Sequence, residues 1–252
     1  MSYPSPPPGS YQIDVVDQVG RAYRAVLDNA QLMVEMALLP FLIVLGIELL
    51  AWLLPGGGMI GTLAAALVRA AGFLVFGTVF VVRWHRFVLL GERVADGLVP
   101  PGWVPYFIAG LKIGGLVFLC WIGLLIIAWL PPQAVTVPLT LFGGGALGFV
   151  AMRVSLVFPA AAIERPVALR AAWDWIAGNY WRLFACVVAC SLPVMVVQMI
   201  IGRIGRMMLW LTWGVFEALS LAVSFVGAAL IAALLSHLYL AIVGGVRQMP
   251  AE

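Results

Sequence analysis

Six stretches of this chain are too apolar and too long to close inside a water-soluble domain, and they settle its fold class. The cleanest is Leu183–Ile201, which carries no charged residue and approaches the about 20 residues that a helix needs to cross bilayer hydrocarbon. The others are Leu32–Leu54, Met59–Val82, Tyr106–Leu130, Val135–Phe158 and Ala218–Val243. Hydrocarbon offers no water to peptide groups, so each run must satisfy its own N–H and C=O groups, which a single segment does as an α-helix. The expected fold is all-α, a polytopic transmembrane bundle of about six spanning helices. Composition agrees: charged residues make up 10% of the chain, against about 25% in soluble domains.

The segments between the runs set the arrangement. Residues 1–9, rich in proline, read as a disordered N-terminus, and 10–252 as a single membrane domain. The opening MSYPSPPPGS has neither a basic n-region nor a cleavage site, so the first spanning helix is the expected insertion signal. PGGG (55–58) and PPQ (131–133) are tight turns, and GERVADGLVPPGWVP (91–105) is a longer polar loop. Met59–Ala71, bearing Arg69, reads as a re-entrant or interfacial start to the second span. That span is expected to end near Val82, where Arg83-Trp84-His85-Arg86 marks the return to a basic surface. Of the basic residues, Arg21, Arg24, Arg83, Arg86, Arg93, Lys112, Arg153, Arg165, Arg170, Arg182 and Arg247 fall on one side, and Arg69, Arg203 and Arg206 on the other. An even number of spans puts both termini on the richer side, which the positive-inside rule makes cytoplasmic. The expected location is the bacterial cytoplasmic (inner) membrane, with multiple passes.

Two segments carry regularly spaced charge. In IERPVALRAAWDWIAGNYWR (163–182) a helix is expected from Pro166, since proline suits a first helical turn. Leu169, Trp173, Ile176 and Tyr180 form its apolar stripe, and Arg170 and Asp174 an i,i+4 pair. Near the N-terminus, Ser10 can cap a helix with the stripe Ile13, Val16, Gly20, Tyr23 and Leu27 and the pairs Asp17/Arg21 and Arg24/Asp28. Both are expected to be amphipathic helices on the cytoplasmic leaflet. Asn29 and Asn179 end them, each followed by a span containing a proline (Pro40, Pro193). His85 follows Asn29 by 56 residues and His237 follows Asn179 by 58. These matches suggest an internal repeat of units 12–92 and 162–245, with the hairpin 105–160 inserted. Each part has an even number of spans, so the units run parallel about an axis along the membrane normal. The plainer alternative is that any helical hairpin entered from the cytoplasm looks alike.

The run Arg153-Val-Ser-Leu-Val-Phe-Pro159, then Glu164-Arg165-Pro166, Ala171-Ala-Trp173 and Gly178-Asn179-Tyr-Trp181-Arg-Leu-Phe184, resembles a pattern in uncharacterised bacterial six-span inner-membrane proteins. These are similar to the membrane domain attached to some glycerophosphoryl diester phosphodiesterases. The likeness is strongest over 153–184 and weaker over 12–92. Where the family offers Ser or Thr to cap the helix after the proline, this chain has Val167-Ala168. The resemblance implies a fold rather than an activity.

Chemistry-bearing motifs are absent: there is no Gly-x-Ser-x-Gly, His-Glu-x-x-His or phosphate-binding loop, and no phosphodiesterase catalytic domain. An enzyme is not expected, nor is a cofactor, and nothing points to nucleic acid. Cys186 and Cys190 stand one helical turn apart without a His or acid beside them in sequence, which favours packing over a metal. Ionisable residues inside spans are the better lead, because an unpaired charge there is expensive. Glu35 and Lys112 lie near enough to a span end to snorkel. Glu48 can pair with Arg69, and Glu217 with Arg203 or Arg206, either structurally or as a proton relay. Arg83, His85, Arg86 and His237 form a candidate anion site, with Arg153 a further candidate for lipid phosphate. The histidines can equally brace the bends at Asn29 and Asn179. Gly110-x-x-x-Gly114 and Gly144-x-x-x-Gly148 permit close approach of the third and fourth spans, or dimerisation. The expected function is a non-enzymatic structural or accessory component of a membrane complex, with membrane lipids, among them anionic ones, and another membrane protein as partners. The alternative is a small-molecule or lipid transporter. A cavity lined by Glu48, Arg69 and Glu217 reverses that order, and a core filled with side chains supports it.

Overall fold

A computed structural model describes residues 12–53, 58–93, 97–128, 133–207 and 213–246. Residues 1–9, Ser10, Arg247 and the centres of the two tight turns lie outside these described residues. Among them the secondary structure is entirely helical. The helices are α1 (Val15–Leu27), α2 (Ala30–Leu53), α3 (Gly58–Gly72), α4 (Thr78–Leu90), α5 (Trp103–Ala128), α6 (Gln133–Arg153), α7 (Val157–Ala162), α8 (Leu169–Trp175), α9 (Tyr180–Met207) and α10 (Trp213–Val246). Six segments are long and apolar enough to cross a membrane: α2, the α3–α4 unit, α5, α6, α9 and α10.

The second span is one rod. A π-helical turn, Phe73–Gly77, joins α3 to α4, and α4 runs on to Leu90, where Gly91 at φ +73° closes it. The expected end near Val82 is therefore too early. Trp84, His85 and Arg86 are buried because this stretch packs against α10 and α7 instead of leaving the bundle. Residues 202–207 continue α9, and 213–217 already belong to α10.

α10 is the axis of the molecule, contacting α9, α1, α4, α2 and α7. Between Ala229 and Tyr239 only Ile231 and His237 escape full burial. Cys186 and Cys190 are free thiols buried in the same core. The α5–α6 hairpin stands to one side, and almost none of its residues are buried. Close approach there falls on Gly143 and Gly144, where a Cβ would meet Leu124 at 2.5 Å and Trp121 at 2.7 Å, while Gly114 and Gly148 face open space. Of the two spaced glycine pairs, only Gly144 lies at the contact between α5 and α6.

Both short helices depart from their expected stripes. α1 is capped by Asp14, whose carboxylate accepts the Asp17 amide at 3.1 Å. It buries Gln18, Ala22 and Val26 but leaves Val16 83% and Leu27 68% exposed. Asp17 and Arg21 pair at 2.8 Å, whereas neither Arg24/Asp28 nor Arg170/Asp174 closes to an ion pair among the described residues. α8 starts at Leu169, not Pro166, because Ala168 is extended and has no capping side chain. It buries Ala172 and Trp175, with Ile176 just beyond, while Leu169 is 47% exposed.

Candidate functional site

Glu48 near the end of α2, Arg69 in α3 and Glu217 at the start of α10 meet in a pocket of about 260 Å³. Arg69 Nε lies 3.1 Å from the Glu48 carboxylate, an ion pair without the alignment of a hydrogen bond. Glu217 shares the pocket but pairs with no cation among the described residues. Arg203 is exposed and apart from it, and the Arg206 side chain lies outside the described residues. Among the described residues two carboxylates thus face one guanidinium. In a low-dielectric setting that imbalance attracts a positive charge.

Ser220 and Ser224 line the same pocket, one turn apart on α10. The Ser220 hydroxyl donates to Gln198 Oε1 at 2.6 Å. Gln198 Nε2 in turn donates to the Ser220 carbonyl at 2.8 Å and to Ser224 Oγ at 2.9 Å. This network fixes α9 against α10 and presents the polar face of α10 to the pocket. The i,i+4 serines opposite a glutamine in otherwise apolar helices are the sequence signal that was available for it. Towards the bundle centre the pocket ends on Phe73 and Leu221. Behind them the Phe225 ring sits 5.8 Å from Phe41, 6.2 Å from Phe73 and 5.2 Å from Phe80. An aromatic cluster therefore closes the seam between α2, α4 and α10. The π turn lies at this level, and π turns recur at functional positions in helices.

The five residues proposed for an anion site do not converge as a set: Arg83 and Arg86 line one pocket, while His85, His237 and Arg153 lie elsewhere. Successive positions on α4 point about 100° apart, so His85 turns away from the two arginines, whose hydrogen bonds go to different neighbours. Arg83 Nη2 donates to the carbonyls of Gly97 at 2.7 Å and Leu98 at 3.3 Å. The His85 ring nitrogen Nδ1 lies 2.7 Å from Ser236 Oγ, buried against α10. Arg86 grips Glu92 through Nε at 2.7 Å and Nη2 at 2.8 Å, and donates Nη1 to the Ala162 carbonyl at 3.0 Å. His237 lines a separate open pocket with Arg21, Arg24 and Asn29. Arg153 lies over the Trp173 ring, 4.5 Å from its centroid.

Neither histidine hydrogen-bonds Asn29 or Asn179. Asn29 donates to the Ala25 carbonyl at 3.0 Å, and Asn179 Oδ1 accepts the Ile13 amide at 3.0 Å. Among the described residues no three of His, Cys, Asp and Glu gather in a form that could hold a metal ion. Tyr23, outside the spans, donates to the Ala189 carbonyl at 3.3 Å. Its phenol is pushed above the ordinary value by burial and, less so, by nearby Cys190.

No protein-family model, curated protein or solved structure matches the chain significantly.

Proposed function

We propose that this chain is a non-enzymatic membrane protein of the transporter or lipid-handling class, which takes a small solute or head group bearing a positive centre. The observation that carries this reading is Glu217, a carboxylate inside a span that shares a pocket with the Glu48–Arg69 pair and has no described cation of its own. An acid inside a span without a described partner is stabilised by a cation or a proton, and an ammonium group supplies both charge and donors. The aromatic cluster beneath makes the pocket a site entered from one side. The test is gentle detergent purification followed by mass spectrometry of co-purifying lipids and small molecules. The wild-type protein should retain an ammonium-bearing species that Glu217→Gln loses and Asp174→Asn, on exposed α8, retains. An identical complement in all three proteins would refute the reading.

The accessory-component reading has one feature in its favour, the α5–α6 hairpin. Leu116, Phe118, Leu119, Leu141 and Phe142 are all more than half exposed, and such a face can meet lipid or a second membrane protein. We also read α1 and α8 as surface helices on the cytoplasmic leaflet of a bacterial inner membrane, because the basic residues cluster at that end. A duplicated ancestry draws support from one match. Asn29 and Asn179 each stand directly before a span, and their carbonyls accept the amides of Met33 and Leu183, both at 2.9 Å. The unlike surroundings of His85 and His237 weigh against it.

A further inference from the structure

At the opposite end of the bundle, a second pocket of about 170 Å³ opens between α2, the end of α4 and the segment that follows it. We propose that it binds a phosphate group, carried by a lipid head group or free in solution, through Arg83 and Arg93. Three arginines and two glutamates line it, leaving one positive charge. Arg86 is matched by its two-pronged contact with Glu92. Glu35 accepts from Gln31 Nε2 at 3.0 Å and forms no ion pair with either remaining arginine among the described residues. Among the described residues Arg83 and Arg93 are therefore the cations without a matching carboxylate.

Arg83 is fixed as well as unmatched. The two loop carbonyls hold Nη2, while Nε has no acceptor among the described residues. A half-buried guanidinium held in place without a described counterion offers its charge to an anion, and ordering it beforehand lowers the cost of binding. Guanidinium is the side chain best matched to phosphate oxygens, which it meets with paired hydrogen bonds. Arg93 is exposed and adds the second charge from the rim. His85, His237 and Arg153 have no part in this site. The proposal is independent of the Glu217 pocket, since it uses different groups at the other end of the molecule.

Native mass spectrometry of the detergent-solubilised protein tests it, with phosphatidylglycerol, diacylglycerol and inorganic phosphate as probes. Wild-type protein should retain phosphatidylglycerol in preference to diacylglycerol, which lacks the phosphate, or bind inorganic phosphate. Arg83→Gln and Arg93→Gln should each weaken that binding about tenfold, as expected for loss of one charge-assisted contact. Arg170→Gln, an exposed arginine on α8, should leave it unchanged. Competition by inorganic phosphate identifies phosphate alone as sufficient, and its failure identifies a lipid-borne group. Arg83 also holds Gly97 and Leu98, so if Arg83→Gln does not fold, Arg93→Gln decides the matter. Equal loss in Arg170→Gln would reduce the effect to diffuse surface charge and overturn the proposal. So would unchanged binding in Arg93→Gln, or no preference for phosphatidylglycerol together with no phosphate binding.

Discussion

Gly102 is the position where a single added carbon does most harm. Its φ is +78°, and a Cβ there would collide with the carbonyl of Ala162, the same carbonyl that accepts from Arg86. The obstacle is backbone, so no rotamer change relieves it. Gly102→Ala should cost more than about 2 kcal/mol, read as a fall in the unfolding temperature in detergent. Gly148→Ala, on a helix with open space around it, should change stability by no more than about 1 kcal/mol, towards stabilisation. The two asparagines separate similarly. Asn179 is buried and holds the Ile13 amide across 166 residues, whereas Asn29, in the turn after α1, only bonds back to the Ala25 carbonyl. Asn179→Ala should destabilise by about 1–3 kcal/mol, because it strands a buried donor, and Asn29→Ala by clearly less. Equal losses would contradict the assignment of Asn179 as the clamp on the N-terminal segment.

The spans were legible in the sequence because hydropathy is a local sum, and a long apolar run has few other destinies in a membrane protein. Faces were harder to read. In α1 the buried positions are Gln18, Ala22 and Val26, while Val16 and Leu27 look outward. Helices meeting in lipid favour small side chains at their contacts, so an apolar stripe does not identify the inward face. The Glu48–Arg69–Glu217 grouping was half legible, since burial cost alone suggests that such charges seek one another. The π turn Phe73–Gly77 left no comparable trace. Deleting Val75 should convert Phe73–Gly77 to ordinary α-helix and turn α3 by about 100° relative to α4. Cysteines introduced as Glu48→Cys and Arg69→Cys should be bridged by a flexible bifunctional thiol reagent in the parent sequence, the gap being too wide for a direct disulfide, and not in the deletion. Retained cross-linking would mean that the turn does not set this register.

At the scale of the whole molecule, α10 is a packed axis and the α5–α6 hairpin an appendage. Ala233 on α10 is fully buried, so Ala233→Leu should cost about 1–3 kcal/mol by overpacking. Ala146→Leu on exposed α6 should shift the unfolding temperature little. The hairpin meets the body near Tyr106 and Ile113, which are buried, whereas 116–127 is mostly exposed. In mechanical terms it is a cantilever, clamped at one end and loaded along its length by the surrounding lipid. A thicker or thinner bilayer deflects the free end most. The reaction force reaches the clamp at Tyr106, whose ring lies 5.8 Å from His85, itself joined to Ser236 on the axis. Cys120 is the exposed thiol on this beam, while Cys186 and Cys190 are buried. A spin label there should report mobility that follows acyl-chain length, and a signal indifferent to chain length would show that the hairpin is held elsewhere.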